Sequence, residues 1–335
     1  VWGLRADVRC SSVVGWRSCA NRGREILIWI NSVVDLDQST QEWPRELRAG
    51  RSRGMVPREP QATFVNTSQG RVRVWRWEGD AALGAVVALH GFGGSGLDFE
   101  AVATADATRH LLAIDLLGHG ESPRPARESG YRVEAQVSLL AEVLSGLGLA
   151  AAPTLLGYSM GARLCLHVAK SQRASVGRLA LVSATGGLSD PSAREERSRW
   201  DQAMASKAEG LPAEAFDRHW GGVPLIAQSR AAVSEPWRSR VTARRAVCDG
   251  ASLSRSLRAF GAGTMPPLWA DLEGLSMPVA LLAGARDTGY VALAGRLAAL
   301  LPSATATVIA GVGHAPHLEA PTATARWLRR EVPTA

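Results

Sequence analysis

Lysine is nearly missing from this 335-residue chain. Of 38 basic residues only Lys170 and Lys207 are lysine, and the rest are arginine. The net charge of +7 would by itself admit a nucleic-acid partner. The arginines are scattered, however, and no nucleic-acid motif accompanies them. The charge therefore reads as compositional bias, not as a phosphate-binding surface. Cysteine is scarce as well. Cys10, Cys19, Cys165 and Cys248 form no CxxC pair, which excludes a disulfide framework and a zinc-finger site and points to a reducing compartment. Long apolar runs are lacking too, so no segment is expected to span a bilayer. The segment before Ile26-Leu27-Ile28-Trp29-Ile30 carries charges of both signs, and no small-residue cleavage site follows. A secretory signal is thus not expected, and a cytoplasmic location is.

What is present suits a globular domain. The apolar content of 46% leaves ample material for a core. Residues 1–54 lack steady periodicity and end in the polar run Arg48-Ala49-Gly50-Arg51-Ser52-Arg53-Gly54. They are expected to be an N-terminal extension, disordered or read from a misplaced start before Met55, without a catalytic part. From about residue 63 the pattern becomes α/β. Arg71–Trp77 alternates with period two, as a half-buried strand does. Ala85–Leu89, Leu111–Ile114, Leu179–Val182, Val279–Leu282 and Thr305–Ile309 are short apolar runs of the kind that lie buried on both faces of a sheet. Val133, Val137, Leu140, Leu144 and Leu147 fall on one helical stripe. Strands alternating with helices predict a mostly parallel sheet with helices on both faces, over residues 55–335. Between about residues 187 and 265 the strand signal gives way to a Trp-, Arg- and Ala-rich stretch. It reads as a helical lid over the C-terminal strand ends, where open α/β sheets place their ligands.

Gly157-Tyr158-Ser159-Met160-Gly161 carries the chemistry. It follows the apolar Pro153-Thr154-Leu155-Leu156 and opens the helical Ala162–Val168. G-x-S-x-G between strand and helix is the nucleophile elbow of the α/β-hydrolase fold, a tight turn that lifts the serine hydroxyl clear of the sheet. Such a serine needs a histidine, and the histidine an acid to orient it, in the chain order Ser, Asp, His. Asp287 follows the strand Val279–Leu282, and His314 follows the final strand in Gly311-Val312-Gly313-His314. His317, three residues on, is the alternative base. His90-Gly91-Phe92-Gly93-Gly94 fits the loop that donates one backbone N–H to an oxyanion hole, through Phe92, with Met160 as the second donor. His90 and His119 read as architectural. Neither a metal-ligand cluster nor a nucleotide loop is present, so no metal and no cofactor are expected. Nothing in the sequence specifies an oligomeric state.

The elbow and its helix, Gly157–Lys170, resemble those of the 2-succinyl-6-hydroxy-2,4-cyclohexadiene-1-carboxylate synthases of menaquinone biosynthesis. The likeness continues through Glu214-Ala215-Phe216 to Trp220, Pro224-Leu225-Ile226-Ala227, Ser254–Arg258 and Phe260–Trp269, and covers roughly residues 63–330. It implies a lyase that abstracts a proton beside a carbonyl and eliminates pyruvate from a cyclohexene bearing several carboxylates and an enolpyruvyl ether. It further implies that Arg163 binds substrate, that Arg197 or its neighbour Arg199 does so from the lid, and that Tyr158 and Trp220 line the pocket. Bidentate arginines suit a small polycarboxylate substrate. Two departures stand out. Ala162 replaces a frequent second glycine, and Thr288-Gly289-Tyr290 follows the acid where a more basic or aromatic pair is expected. The triad alone also admits a serine hydrolase of the same fold, either a carboxylesterase or a carbon–carbon-bond hydrolase.

Overall fold

The short apolar runs become the strands of a nine-stranded sheet. The structure, a computed structural model, describes residues 15–21, 24–30, 32–34 and 57–332. In chain order the strands are β1 (Gly15–Asn21), β2 (Arg24–Ile30), β3 (Ser32–Val34), β4 (Gln61–Thr67), β5 (Gly70–Trp77), β6 (Asp80–Leu89), β7 (Arg109–Ile114), β8 (Thr154–Tyr158), β9 (Arg178–Val182), β10 (Val279–Gly284) and β11 (Ala304–Ile309). β1 and β2 form an antiparallel pair by themselves. The main sheet runs β3-β11-β10-β9-β8-β6-β7-β5-β4. β4 and β5 are antiparallel to their neighbours, and every other pairing is parallel. The rest of the segment 1–54, set apart above as an extension, lies outside the described residues.

The helices are α1 (Glu100–Ala105), α2 (Val133–Gly146), α3 (Met160–Ser171), α4 (Pro191–Gly210), α5 (Ala213–Gly221), α6 (Pro224–Ala232), α7 (Trp237–Arg245), α8 (Gly250–Phe260), α9 (Thr288–Leu300), α10 (Pro316–Glu319) and α11 (Pro321–Glu331). The central strands β8 and β10 are buried at every residue, which is why their sequences show no alternation. One core cluster joins the sheet to α2, α3 and α9. A second joins it to α1 and α11. The main sheet is thus covered on both faces.

β6 and β8 are neighbours, yet the chain leaves β6 for β7 on one side and β8 for β9 on the other. This reversal is the switch point at which a crevice opens beyond the strand ends. The five helices α4–α8 are inserted between β9 and β10. They carry a small core of their own, Met204, Ala205, Ala208, Phe216, Leu253 and Leu257, with Trp200 and Trp220 packed against it. Asp190 and Asp249 cap α4 and α8 through their carboxylates. Among the described residues no helix is long and apolar enough to cross a membrane.

Candidate active site

Ser159 stands between β8 and α3 with φ 50° and ψ −104°, a region that non-glycine residues rarely enter. Its turn is held by the hydrogen bond from its N–H to the Val182 carbonyl, 3.0 Å, and by that from Arg163 N–H to the Ser159 carbonyl, 3.1 Å. The glycine at 161 is a packing requirement. A Cβ there would come within 2.1 Å of the Leu89 carbonyl oxygen and 2.7 Å of that of His90. The start of α3 lies directly against the end of β6.

Ser159, Asp287 and His314 come from the ends of three parallel strands and converge. Nε2 of His314 lies 3.2 Å from Ser159 Oγ, and its Nδ1 lies 2.7 Å from Asp287 Oδ2. His314 and Asp287 are only 2% and 6% exposed. Asp287 has two tasks, because its other oxygen accepts the Tyr290 N–H at the start of α9, 3.3 Å. Its turn-and-cap role and its role beside His314 coexist. The Tyr290 ring meets the His314 ring edge-on at 4.5 Å. His317 points elsewhere, stacked between Phe99 and Tyr158. Burial pushes its pKa down to about 3, and neither ring nitrogen has a hydrogen-bond partner among the described residues.

On the facing loop the turn at Phe92 is closed by Gly94 N–H to the Gly91 carbonyl, 3.1 Å. Met160 is the first residue of α3, so its N–H has no carbonyl one turn earlier to engage. His90 bridges two loops, with Nδ1 at 2.7 Å from the Gly91 carbonyl and Nε2 accepting the Leu116 N–H at 3.0 Å. His119 bonds the Leu117 carbonyl. Burial lowers the two histidines to about 4 and about 3, as befits neutral structural groups.

A cavity of about 200 Å³ opens over Ser159. Tyr158, Phe92 and Trp220 line it, as do Arg230, Arg238 and Arg245. Trp220 packs on Phe92 at 4.7 Å, and the Tyr158 ring lies 5.5 Å from that of His314. Arg163 does not line this cavity. It is half-buried with Tyr290, Arg197 and Asp201 for neighbours. Burial lowers its pKa to about 10, and its enclosed Nη1 has no protein partner among the described residues. Arg197 pairs with Asp201 at 2.8 Å and stacks over Trp200, and its charge is felt at Arg163. Arg199 points to solvent and pairs with Glu195.

The three cavity arginines were not singled out in the sequence. They lie on α6 and α7, where an arginine-rich helix face reads the same whether it meets water or a cleft. Arg230 pairs with Asp217 at 2.5 Å, and Arg238 donates to the Val233 carbonyl. Arg245 lies 3.8 Å from Asp98. Burial raises the Asp98 pKa against the pull of the Arg245 and Arg244 charges.

Residues 84–321 match the α/β hydrolase fold family. A Bacillus subtilis protein named as a 2-succinyl-6-hydroxy-2,4-cyclohexadiene-1-carboxylate synthase is 35% identical over 246 residues, 73% of this chain and 88% of that protein. The synthase of Klebsiella pneumoniae is 31% identical over 71% of this chain and 89% of its own length. Among solved structures, MenH from S. aureus superposes with a TM-score of 0.70 and 26% identity, over 82% of this chain and 99% of that one. With these matches spanning the elbow, the inserted helices and the strands that bring Asp287 and His314 to Ser159, the chain belongs to the α/β hydrolase fold family and, within it, to the 2-succinyl-6-hydroxy-2,4-cyclohexadiene-1-carboxylate synthases.

Proposed function

We propose that this enzyme is a carbon–oxygen lyase whose Ser159, His314 and Asp287 act together as a base. It eliminates pyruvate from 2-succinyl-5-enolpyruvyl-6-hydroxy-3-cyclohexene-1-carboxylate to give 2-succinyl-6-hydroxy-2,4-cyclohexadiene-1-carboxylate. The observation that carries this reading is the triad geometry under an arginine-lined cavity. His314 reaches Ser159 Oγ with one nitrogen and Asp287 with the other, while Arg230, Arg238 and Arg245 face the same space.

Ser159 Oγ removes the ring proton beside the succinyl ketone as its own proton passes to His314. The electron pair moves toward the ketone oxygen, which the N–H groups of Phe92 and Met160 receive. As the pair returns, the ring double bond shifts and the carbon–oxygen bond to the enolpyruvyl group breaks. Enolpyruvate leaves and becomes pyruvate on taking up a proton. Asp287 holds the imidazole in place and stabilises the imidazolium. The cavity arginines, together with Arg163 and Arg197, supply cationic partners for the carboxylates. No cofactor takes part in this scheme. A cytoplasmic setting belongs to the same proposal, and Cys165 and Cys248 are free thiols.

The test is pyruvate release from the enolpyruvyl-cyclohexene substrate, compared with hydrolysis of a neutral p-nitrophenyl ester. Rapid pyruvate release with slow ester turnover supports the lyase. Ester turnover without pyruvate would replace it with a serine hydrolase of the same fold.

A further inference from the structure

The loop that carries His314 is held by three parts of the molecule. The Glu319 carboxylate, at the end of α10, accepts the N–H groups of Gly313 at 2.6 Å and Ala315 at 2.9 Å. Ser183, just past β9, donates its hydroxyl to the His314 carbonyl at 2.7 Å. The N–H between the two that Glu319 receives, that of His314 itself, donates to Ser229 Oγ at 2.8 Å. Three consecutive N–H groups are thus satisfied by side chains. Glu319 follows closely in the same segment, whereas Ser229 belongs to α6 of the inserted helices.

Ser229 is only 4% exposed, yet it also borders the cavity. It does so with Ile226, Arg230 and Val233, the i, i+3, i+4, i+7 pattern of a single helix face. Arg230 ties α6 to α5 through the Asp217 side chain and carbonyl, at 2.5 Å and 3.1 Å. A molecule filling the cavity therefore bears on the face of α6 that bonds the main chain of His314. The two contacts of the imidazole differ in reserve. The bond to Asp287 is short at 2.7 Å, while that to Ser159 is 3.2 Å, the outer edge of the range in which a base can take the proton. A small displacement of the loop would lose the contact with Ser159 first.

We propose that Ser229 is a positioning residue: its hydroxyl registers α6 against the His314 loop, so that the imidazole is aligned on Ser159 when the inserted helices are seated over the cavity. This rests on the triad reading above but not on the identity of the substrate.

The test uses a fluorophosphonate, which forms an Oγ–P bond at Ser159 and expels fluoride as His314 takes the serine proton. Intact mass follows the labelling rate in wild type, Ser229→Ala and Ser229→Thr, each normalised to the fraction folded by circular dichroism. Ser229→Ala should label about 10-fold more slowly and lose kcat for pyruvate release by a similar factor, with KM within about 2-fold, as expected for misplaced catalytic groups. Ser229→Thr, which keeps the acceptor, should recover to within about 3-fold of wild type. Wild-type labelling in Ser229→Ala, or a threonine variant as slow as the alanine one, would overturn the proposal. If wild type releases no pyruvate, the lyase reading fails while the labelling comparison still decides the role of Ser229. A wild-type Ser159 that resists the reagent would overturn the triad on which the proposal rests.

Discussion

Gly161→Ala is the smallest change that should disable the site without touching a reacting atom. The added Cβ would lie 2.1 Å from the Leu89 carbonyl oxygen, 2.6 Å from its carbon and 2.7 Å from the His90 carbonyl oxygen. All three are main-chain atoms at the end of β6, so no side-chain rotamer can give way. Ordinary contact begins near 3.4 Å, so the first turn of α3 must retreat by about 1 Å or the end of β6 must move. Either shift separates Met160 and Ser159 from the loop that carries Phe92. Overpacking of this kind costs about 1–3 kcal/mol, and in a domain of this size each kcal/mol lowers Tm by roughly 2–4 °C. A misplacement of about 1 Å at reacting groups costs about 100-fold in rate. The variant should therefore melt several degrees lower and release pyruvate with kcat reduced about 100-fold, while KM changes less, because of the arginines assigned to the carboxylates only Arg163 lies on the turn that shifts and the others are on α4, α6 and α7. Scanning fluorimetry and a coupled lactate dehydrogenase assay measure both. A variant with wild-type kcat at a temperature where it is folded would refute the claim that the approach of α3 to β6 sets the elbow.

Other expectations can be checked in the same assays. Asp287→Asn keeps a side-chain oxygen to cap α9 but favours the wrong tautomer of His314, so kcat should fall by about 10⁴-fold at nearly unchanged Tm; a loss under about 10-fold would remove Asp287 from the triad. Arg163→Ala and Arg245→Gln should each reduce kcat/KM for the polycarboxylate by roughly 10- to 100-fold and leave turnover of a neutral ester within about 3-fold; equal losses on both substrates would deny them a carboxylate-binding role. Burial holds His317 neutral, with its pKa lowered from 6.5 to about 3. The unfolded chain therefore takes up a proton below pH 6.5 that the folded one refuses, and stability falls by about 1.4 kcal/mol per pH unit from this group as pH drops toward 3. His90, His119 and His167 act in the same direction, whereas the raised Asp98 and Asp115 oppose it. Tm measured from pH 7 to pH 5 should decline, and His317→Leu should decline less steeply; parallel curves would show that His317 is not held neutral.

Much of the architecture is legible in the sequence because its causes are local. Strands buried on both faces must be apolar throughout, so β6, β7, β8, β9, β10 and β11 announce themselves as short hydrophobic runs. The elbow is legible for a similar reason. Only a narrow set of residues fits a serine at φ 50° with a helix pressed against the neighbouring strand, and chain order then directs attention to Asp287 and His314. The flanking strand β4 is less visible, since Val65 is its one buried residue and Gln61, Ala62, Phe64 and Asn66 are exposed.

Other features needed the third dimension. Spacing could not separate His314 from His317. The structure does, because one imidazole meets Asp287 and Ser159 while the other is enclosed by Phe99 and Tyr158. Arg197 and Arg199 each form an i, i+4 pair with an acid on α4, so they look alike along the chain; only the position of α4 puts Arg197 near Arg163 and Arg199 in solvent. Arg230, Arg238 and Arg245 sit on short polar helices whose faces have no meaning until it is known what they cover. Ser229 carries no motif at all, and its bond to the His314 N–H spans 85 residues. The sequence by itself determined which strands are buried, which turn presents the serine and in what order its partners follow, because backbone sterics and two-sided burial act over a few residues. The tertiary structure alone decided which arginines face the cavity and what holds the histidine in place, because those depend on the docking of separate helices over the sheet edge.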